Sequence, residues 1–255
     1  MQVYFVDAGM LAYPESVQLQ EATIHARAKG VIDRDVLFLL QHPPVFTLGQ
    51  RTTGQEFRKS IETIRQDGID VCSTNRGGNI TYHGPGQVVG YPIIDLTSRT
   101  PNNKQEYSRK LEQVMLEAGR MYVPELFCRK DLYEPTGKRY VGVWAMQKEI
   151  PVKVGFVGVK IIPCNKCFFS MHGFALNIAL QHPEHFELID PCGLSGVCVA
   201  SLQDFCQKTI SIQDVKQKLT TAFAHVFDYE LKEISMKQIK SFLEFSRLST
   251  PLHEK

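Results

Sequence analysis

Arg76-Gly77-Gly78-Asn79-Ile80-Thr81-Tyr82-His83-Gly84-Pro85-Gly86-Gln87, running on into Val88-Val89-Gly90-Tyr91-Pro92-Ile93-Ile94, is the stretch on which the fold assignment turns. Five of its first twelve residues are Gly or Pro. Glycine tolerates positive φ and lets backbone N–H groups come close to a ligand, and the same residues also build a pair of tight turns. Gly84-x-Gly86 with Gly90 beyond has the outline of a dinucleotide-binding loop. That fingerprint requires a helix to open within it. Here Gln87 to Ile94 reads as a strand, and Pro85 removes an N–H from the cradle, so the nucleotide reading fails. No P-loop sequence occurs elsewhere.

Upstream, Val3-Tyr4-Phe5-Val6 reads as a strand, and a helix is expected from about Pro14 to Lys29. Leu19, Ala22 and Ala26 supply one face of that helix, with Val17 and Ile24 on the other side. Val36 to Leu40 is an unbroken apolar run, read as a buried strand stopped by His42-Pro43-Pro44. A short helix follows over Ser60–Gln66, then three short strands between Ile69 and Asp95. Downstream, the periodicity of Tyr107, Leu111, Val114, Met115 and Ala118 predicts a helix over Lys104–Met121. Short strands are expected from Val141 to Ile178, then helices over Ile212–Phe227 and Met236–Phe245. The order is neither strictly βαβα nor all-β. The fold class is therefore α+β, a mixed β-sheet flanked by helices. Thr100-Pro101-Asn102-Asn103 is too short for a linker, so a single domain is expected.

Composition narrows the class of function. The chain has 255 residues, 43% of them hydrophobic, and 29 Lys and Arg against 27 Asp and Glu for a net charge of +2. Such a chain buries a real core and is not disordered. The balanced charge argues against a nucleic-acid binder. No apolar run approaches the ~18–20 residues of a membrane span. The N-terminus carries neither a signal-like nor a transit-like pattern, which predicts a cytoplasmic protein, or a mitochondrial one in a eukaryote. Seven cysteines, odd in number and irregularly spaced, fit free thiols in a reducing compartment.

Three further clusters carry candidate chemistry. Met171-His172-Gly173-Phe174-Ala175-Leu176-Asn177 repeats the His-Gly step of His83-Gly84; a lone histidine is more often a hydrogen-bonded core residue, but two such corners point toward a shared pocket. Asp190-Pro191-Cys192-Gly193 sets a thiol between Pro and Gly, where it is more readily exposed than in a strand. A nucleophilic Cys192 needs a nearby cation or base, because a thiol of ordinary pKa, about 8.5, is only slightly ionised at neutral pH. Cys164-x-x-Cys167 has zinc or redox spacing, but there is no second such pair. A zinc site would have to recruit a distant ligand such as His172, and no metal is expected.

Taken together the segments resemble one family, the lipoyl(octanoyl) transferases, which move an octanoyl group from acyl carrier protein to a lipoyl domain. The resemblance runs from about Val3 to Phe227. Its markers are His42-Pro43-Pro44-Val45-Phe46-Thr47-Leu48-Gly49, the Arg76–Gln87 stretch with Gly90-Tyr91-Pro92, Gly142-Val143-Trp144, His172–Asn177, and Pro191-Cys192-Gly193 leading to Ala200-Ser201-Leu202. It implies the biotin/lipoate protein ligase catalytic-domain fold over residues 1–230, with 231–255 a C-terminal helix and tail. It also implies an acyltransferase needing no cofactor. Its partners would be octanoyl-acyl carrier protein, the lipoyl domains of 2-oxoacid dehydrogenase complexes and the glycine cleavage H protein, with no nucleic acid and no membrane.

Carried over by residue, the resemblance puts the acyl-thioester cysteine at Cys192 and the activating lysine at Lys153, five residues before Gly158. Lys160 is the competing lysine and is assigned to the pocket rim or the partner surface. The acyl-binding stretches fall on Arg76-Gly77-Gly78-Asn79-Ile80-Thr81-Tyr82-His83, Phe156-Val157-Gly158 and Gly173-Phe174-Ala175. Gly77, Gly78 and Gly173 are the expected oxyanion donors, and Arg51, Arg76, Lys138 and Arg139 the expected contacts for acidic partners. The segment between Gly158 and His172 exceeds the family's length by about four residues, around Ile162-Pro163-Cys164-Asn165. Rival readings are an ATP-dependent lipoate ligase, an amidotransferase acting between lipoylated proteins, and a non-enzymatic module that docks acyl carrier protein.

Overall fold

Val36–Leu40 becomes the heart of strand β2 (Asp35–Gln41), and both of its faces are covered. Leu37 and Leu39 pack into one apolar cluster and Val36, Phe38 and Leu40 into a second on the opposite side, the period-2 alternation of a central strand. The protein, seen as a computed structural model, is described over residues 1–97, 103–129, 140–190 and 197–248. Around β2 lie β1 (Gln2–Met10), β3 (Val45–Leu48), β4 (Asp70–Ser73), β5 (Thr81–His83) and β6 (Gln87–Ile93). Further along come β7 (Val143–Gln147), β8 (Ile150–Cys164), β9 (Cys167–Asn177) and β10 (Glu230–Glu233). The helices are α1 (Tyr13–Ala28), α2 (Ile61–Gln66), α3 (Lys104–Gly119), α4 (Ile212–Phe227) and α5 (Met236–Leu248).

Seven strands form one mixed sheet in the order β10-β1-β2-β6-β9-β8-β7, and β4-β3-β5 form a small second sheet. Helices α3 and α4 cover one face of the large sheet, where Leu111, Val114, Met115, Leu219 and Phe223 meet Leu37, Leu39 and Leu176. On the other face α1, α5 and the small sheet enclose Val36, Phe38, Phe46, Tyr82 and Tyr91. The architecture is the α+β mixed sheet flanked by helices expected from the sequence. α3 buries all five residues whose spacing predicted it, and α4 spans the predicted residues.

Three elements differ from the sequence reading. Residues 150–177 form two long strands in one hairpin, where several short strands were expected. Asn165, at φ 54°, turns that hairpin between the paired Cys164 and Cys167. Residues 162–165 therefore sit toward the hairpin tip, and Gly158 lies directly opposite Gly173. In α1 the most buried residues include Ser16, Gln20 and Thr23, while Val17, Leu19 and Ala22 are only half-buried. Short polar groups can be buried there because Ser16 and Thr23 donate back to Tyr13 and Leu19 carbonyls, and Gln20 accepts from the backbone of His172. Finally, residues from 230 onward begin with β10, hydrogen-bonded parallel to β1, and α5 packs against α1.

Candidate active site

A cavity of about 710 Å³ opens between the β6–β9–β8 part of the large sheet, the loop 76–80, β5 and the first turns of α1 and α3. That volume is in the range of small-molecule sites. Among the expected acyl-binding residues, Arg76, Gly77, Gly78, Asn79, Ile80, Thr81, His83, Phe156, Val157, Gly158, Gly173, Phe174 and Ala175 line it, and so does Lys153. Tyr82 does not. It stands between Thr81 and His83 on a strand, so its ring points the other way, against Phe46 and Phe186, with its hydroxyl 2.9 Å from His185 Nδ1. Lys160 is not on the cavity wall either.

The loop is held down by its own arginine. Arg76 is buried, and its guanidinium donates from Nε and Nη2 to the Thr47 hydroxyl at 3.0 and 2.9 Å, and from Nη2 to the Thr47 carbonyl at 2.6 Å. Nη1 donates to the Gly77 carbonyl. Arg76 thus braces the loop on β3 and is no contact for an acidic protein, which corrects that expectation. Gly49 must lack a side chain here: a Cβ would lie 2.2 Å from the Gly78 carbonyl oxygen and 2.8 Å from Arg76 Nη1. The Gly77 N–H is committed to the Val159 carbonyl at 3.2 Å, so it is no longer a candidate oxyanion donor.

Lys153 reaches the cavity because β8 changes phase beside it. The ladder with β7 pairs Lys153 with Trp144 but Gly155 with Val143, leaving Val154 as an extra residue. Such a bulge re-aims the side chains on either side of it. Val152 and Val154 face the α3 side of the sheet, whereas Phe156, two residues further, faces the α1 side. Lys153 and Phe156, three apart, thereby address one cavity. The Lys153 side chain is buried, with Nζ 4.9 Å from the Phe156 ring centre and 5.3 Å from that of Trp144, within cation–π reach. Gly142 makes room for it: a Cβ there would lie 2.6 Å from Lys153 Cε. The backbone of Lys153 holds the segment 198–200, beyond Cys192 in sequence, its N–H donating to the Cys198 carbonyl at 2.9 Å and its carbonyl accepting from Ala200 at 3.0 Å. Cys192, Lys138 and Arg139 lie outside the described residues.

Three buried histidines stand in and behind the cavity wall. His83 donates or accepts at Nδ1 with Gln87 at 2.6 Å, His172 Nε2 lies 2.8 Å from Asn75 Oδ1, and His42, behind the wall, sits between the Leu11 carbonyl and the Tyr91 hydroxyl. Burial pushes His42 down to about 4. Burial, with Arg76 and Lys160 nearby, pushes His172 down to about 3. His83 is held well below the usual imidazole value by burial first and by His42 next. The three imidazoles are neutral at physiological pH.

Sequence reading missed the contribution of α3, whose Lys104, Gln105, Ser108 and Arg109 line the mouth of the cavity. Polar residues at a helix start look like a solvated face, and no sequence signal separates the two cases. Burial and the Arg51 guanidinium lower the Lys104 ammonium's pKa. Among the described residues the one close group of three possible metal ligands, His182, Glu184 and His185, lies outside this cavity. Cys164 and Cys167 sit at the hairpin tip, and His172 spends its Nε2 on Asn75, so the three do not form a zinc site.

Residues 12–224 match the family described as the lipoyl protein ligase A/B catalytic domain. An octanoyltransferase of Desulforamulus reducens is 31% identical over 246 residues, covering 95% of this chain and 99% of that one. One from Clostridium kluyveri is 34% identical over 94% of both chains, and one from Desulfotalea psychrophila 36% identical over 88% of this chain and 93% of its own. The chain belongs to the octanoyltransferase family. It is an acyltransferase of lipoyl or octanoyl groups. Among solved structures, a lipoate-protein ligase A bound with ATP superposes with a TM-score of 0.71 at 15% identity, covering 100% of this chain and 97% of that one. A structure from Thermoplasma acidophilum, described as a structural analysis of an archaeal lipoylation system with a bipartite lipoate protein ligase and its E2 lipoyl domain, gives 0.69 at 14% identity, covering 100% and 99%. These likenesses establish the fold. No helix among the described residues is long and apolar enough to cross a membrane.

Proposed function

We propose that this octanoyltransferase moves an octanoyl group from acyl carrier protein to a lysine of a lipoyl domain through a thioester on Cys192. The observation that carries the reading is Lys153: a buried lysine at one end of a largely apolar cavity, bonded through its backbone to Cys198, six residues beyond Cys192. In the first half-reaction the Cys192 thiolate attacks the carbonyl carbon of the carrier's octanoyl thioester. A new C–S bond forms, the bond to the carrier's sulfur breaks, and the departing carrier thiolate takes a proton from the Lys153 ammonium to leave as a thiol, so that Lys153 enters the second half as a neutral amine. The exchange of one thioester for another is nearly isoenergetic and needs no ATP. In the second half the neutral amine of the target lysine attacks the acyl-enzyme, and Cys192 leaves as a thiolate. The proton shed by the amine passes to Lys153, which acts as the positioned acid–base group. Ile80, Val89, Phe156, Val157 and Phe174 offer the chain an apolar surround, each buried methylene contributing about 0.8 kcal/mol.

Intact-protein mass spectrometry after mixing the enzyme with octanoyl-acyl carrier protein, without ATP, tests this. The expected result is an octanoyl adduct that maps to Cys192 and is discharged by an apo lipoyl domain. Transfer appearing only with ATP and free octanoate would overturn it in favour of a ligase.

A further inference from the structure

Gln87 and Asn177 are fully buried and face one another across the β6–β9 ladder. Neither lines the cavity, and the acyl-transfer steps above make no use of them. Gln87 Oε1 lies 2.6 Å from His83 Nδ1. Its Nε2 donates to Asn177 Oδ1 at 2.9 Å and, more weakly, to the Tyr82 carbonyl at 3.3 Å. Asn177 Nδ2 donates to the Ala200 carbonyl at 2.9 Å.

Two backbone carbonyls give this chain of bonds a direction. A carbonyl only accepts, so Ala200 requires the NH₂ end of Asn177 and Tyr82 the NH₂ end of Gln87. The Asn177 oxygen is then left to accept from Gln87, and the Gln87 oxygen can be satisfied only by a proton on His83 Nδ1. A neutral imidazole with its proton on Nδ1 carries a bare lone pair on Nε2. No described residue donates to that nitrogen, and His83 is part of the cavity wall. At its other end the relay grips the segment 198–200, which is itself hydrogen-bonded to the Lys153 backbone. Ala200 donates to the Lys153 carbonyl while Asn177 holds the Ala200 carbonyl, and Lys153 in turn donates to Cys198.

We infer that Gln87 and Asn177 are positioning residues, which fix His83 as the Nδ1–H tautomer facing the acyl cavity and clamp residues 198–200 against Lys153. The clamp rests on the reading of Lys153 and Cys192 above; the tautomer does not. The charged or titratable groups around His83 are His42, Arg76 and His172, with the Tyr13 ring stacked on it at 6.3 Å.

The first test uses the unaltered full-length enzyme labelled with ¹⁵N-histidine, the His83 signals being assigned by their loss in His83→Asn. The expected long-range ¹H–¹⁵N pattern has a protonated Nδ1 and an unprotonated Nε2; the reverse overturns the relay. In Gln87→Glu the acceptor for His83 remains, both donors are gone, and a carboxylate stands beside the imidazole. His83 is then expected to titrate between pH 5 and 8, where in the parent enzyme it does not; an unchanged His83 overturns the proposal. Asn177→Asp keeps the acceptor for Gln87 but sets an acceptor against the Ala200 carbonyl. For it we expect kcat to fall about tenfold with KM for the acyl donor unchanged, and slower iodoacetamide labelling of Cys192 across pH, followed by peptide mapping. A variant that only melts earlier, with kcat and labelling of the folded enzyme unchanged, overturns the clamp. If the parent enzyme forms no octanoyl-Cys192, the proposed function fails while the tautomer measurement still decides the relay.

Discussion

Gly173 lies so close to Gly90 that a Cβ built on it would sit 2.1 Å from the Gly90 carbonyl oxygen. The Phe174 ring in turn lies over Gly90, its Cζ 2.2 Å from where that residue's own Cβ would be. At the floor of the cavity, which Gly173 and Phe174 line, Gly173 thus leaves room for the Gly90 backbone and Gly90 leaves room for the Phe174 ring. Gly173→Ala meets a backbone atom that cannot step aside, and should cost about 1–3 kcal/mol of stability, read as a lower urea midpoint. Gly158→Ala meets the Gly77 carbonyl at 3.1 Å, where the loop has only to give by a few tenths of an ångström. It should melt within about 3 °C of the parent while raising KM for the octanoyl donor. Equal destabilisation by both would count against this account of the floor.

Cys192→Ser should fold normally, accumulate no acyl-enzyme and lose transfer altogether. Near-parental turnover would rule out the covalent route. Lys153→Ala should shift the labelling profile of Cys192 to higher pH, as expected when a neighbouring cation or base is removed. An unchanged profile would pass the role to another group, with Lys160→Ala as the comparison.

The buried histidines make the protein sensitive to acid. The folded-state values of about 4 for His42 and about 3 for His172 lie below the unfolded imidazole value near 6.5. The unfolded chain therefore binds more protons in that window, and stability is full above pH 6.5 and lost as pH falls toward 4. Each of the two groups accounts for about 2 kcal/mol of loss by pH 5. Urea unfolding at pH 7.5, 6 and 5 should show a steady fall, and a flat profile would refute the buried neutral assignment.

Lys104 and Arg109 stand at the cavity mouth with Arg51, and an acidic acyl carrier would meet them there. Lys104→Glu with Arg109→Glu should raise KM for the acyl carrier several-fold and leave kcat little changed. The parent's KM should itself rise between 0.05 and 0.5 M salt, because exposed charges are screened. A KM indifferent to both changes would place the docking surface elsewhere.

Much of this protein was legible in one dimension. The unbroken Val36–Leu40 run required a strand covered on both faces, and the spacing of Tyr107, Leu111, Val114, Met115 and Ala118 fixed which face of α3 is buried. Even Tyr82 carried a readable sign, since alternation along a strand turns it away when Thr81 and His83 face inward. Other features required the folded chain. The α1 face could not be chosen from hydrophobicity, because Gln20 is buried to meet the His172 backbone 152 residues away. Arg76 reads as a surface charge until Thr47 is brought beneath it. Most of all, Lys153 and Phe156 share a cavity only through the extra residue Val154 in the β7–β8 ladder. Local periodicity is a property of a segment by itself, whereas register, bulges and buried polar partners are set by the neighbour it pairs with, and that neighbour exists only once the sheet has formed.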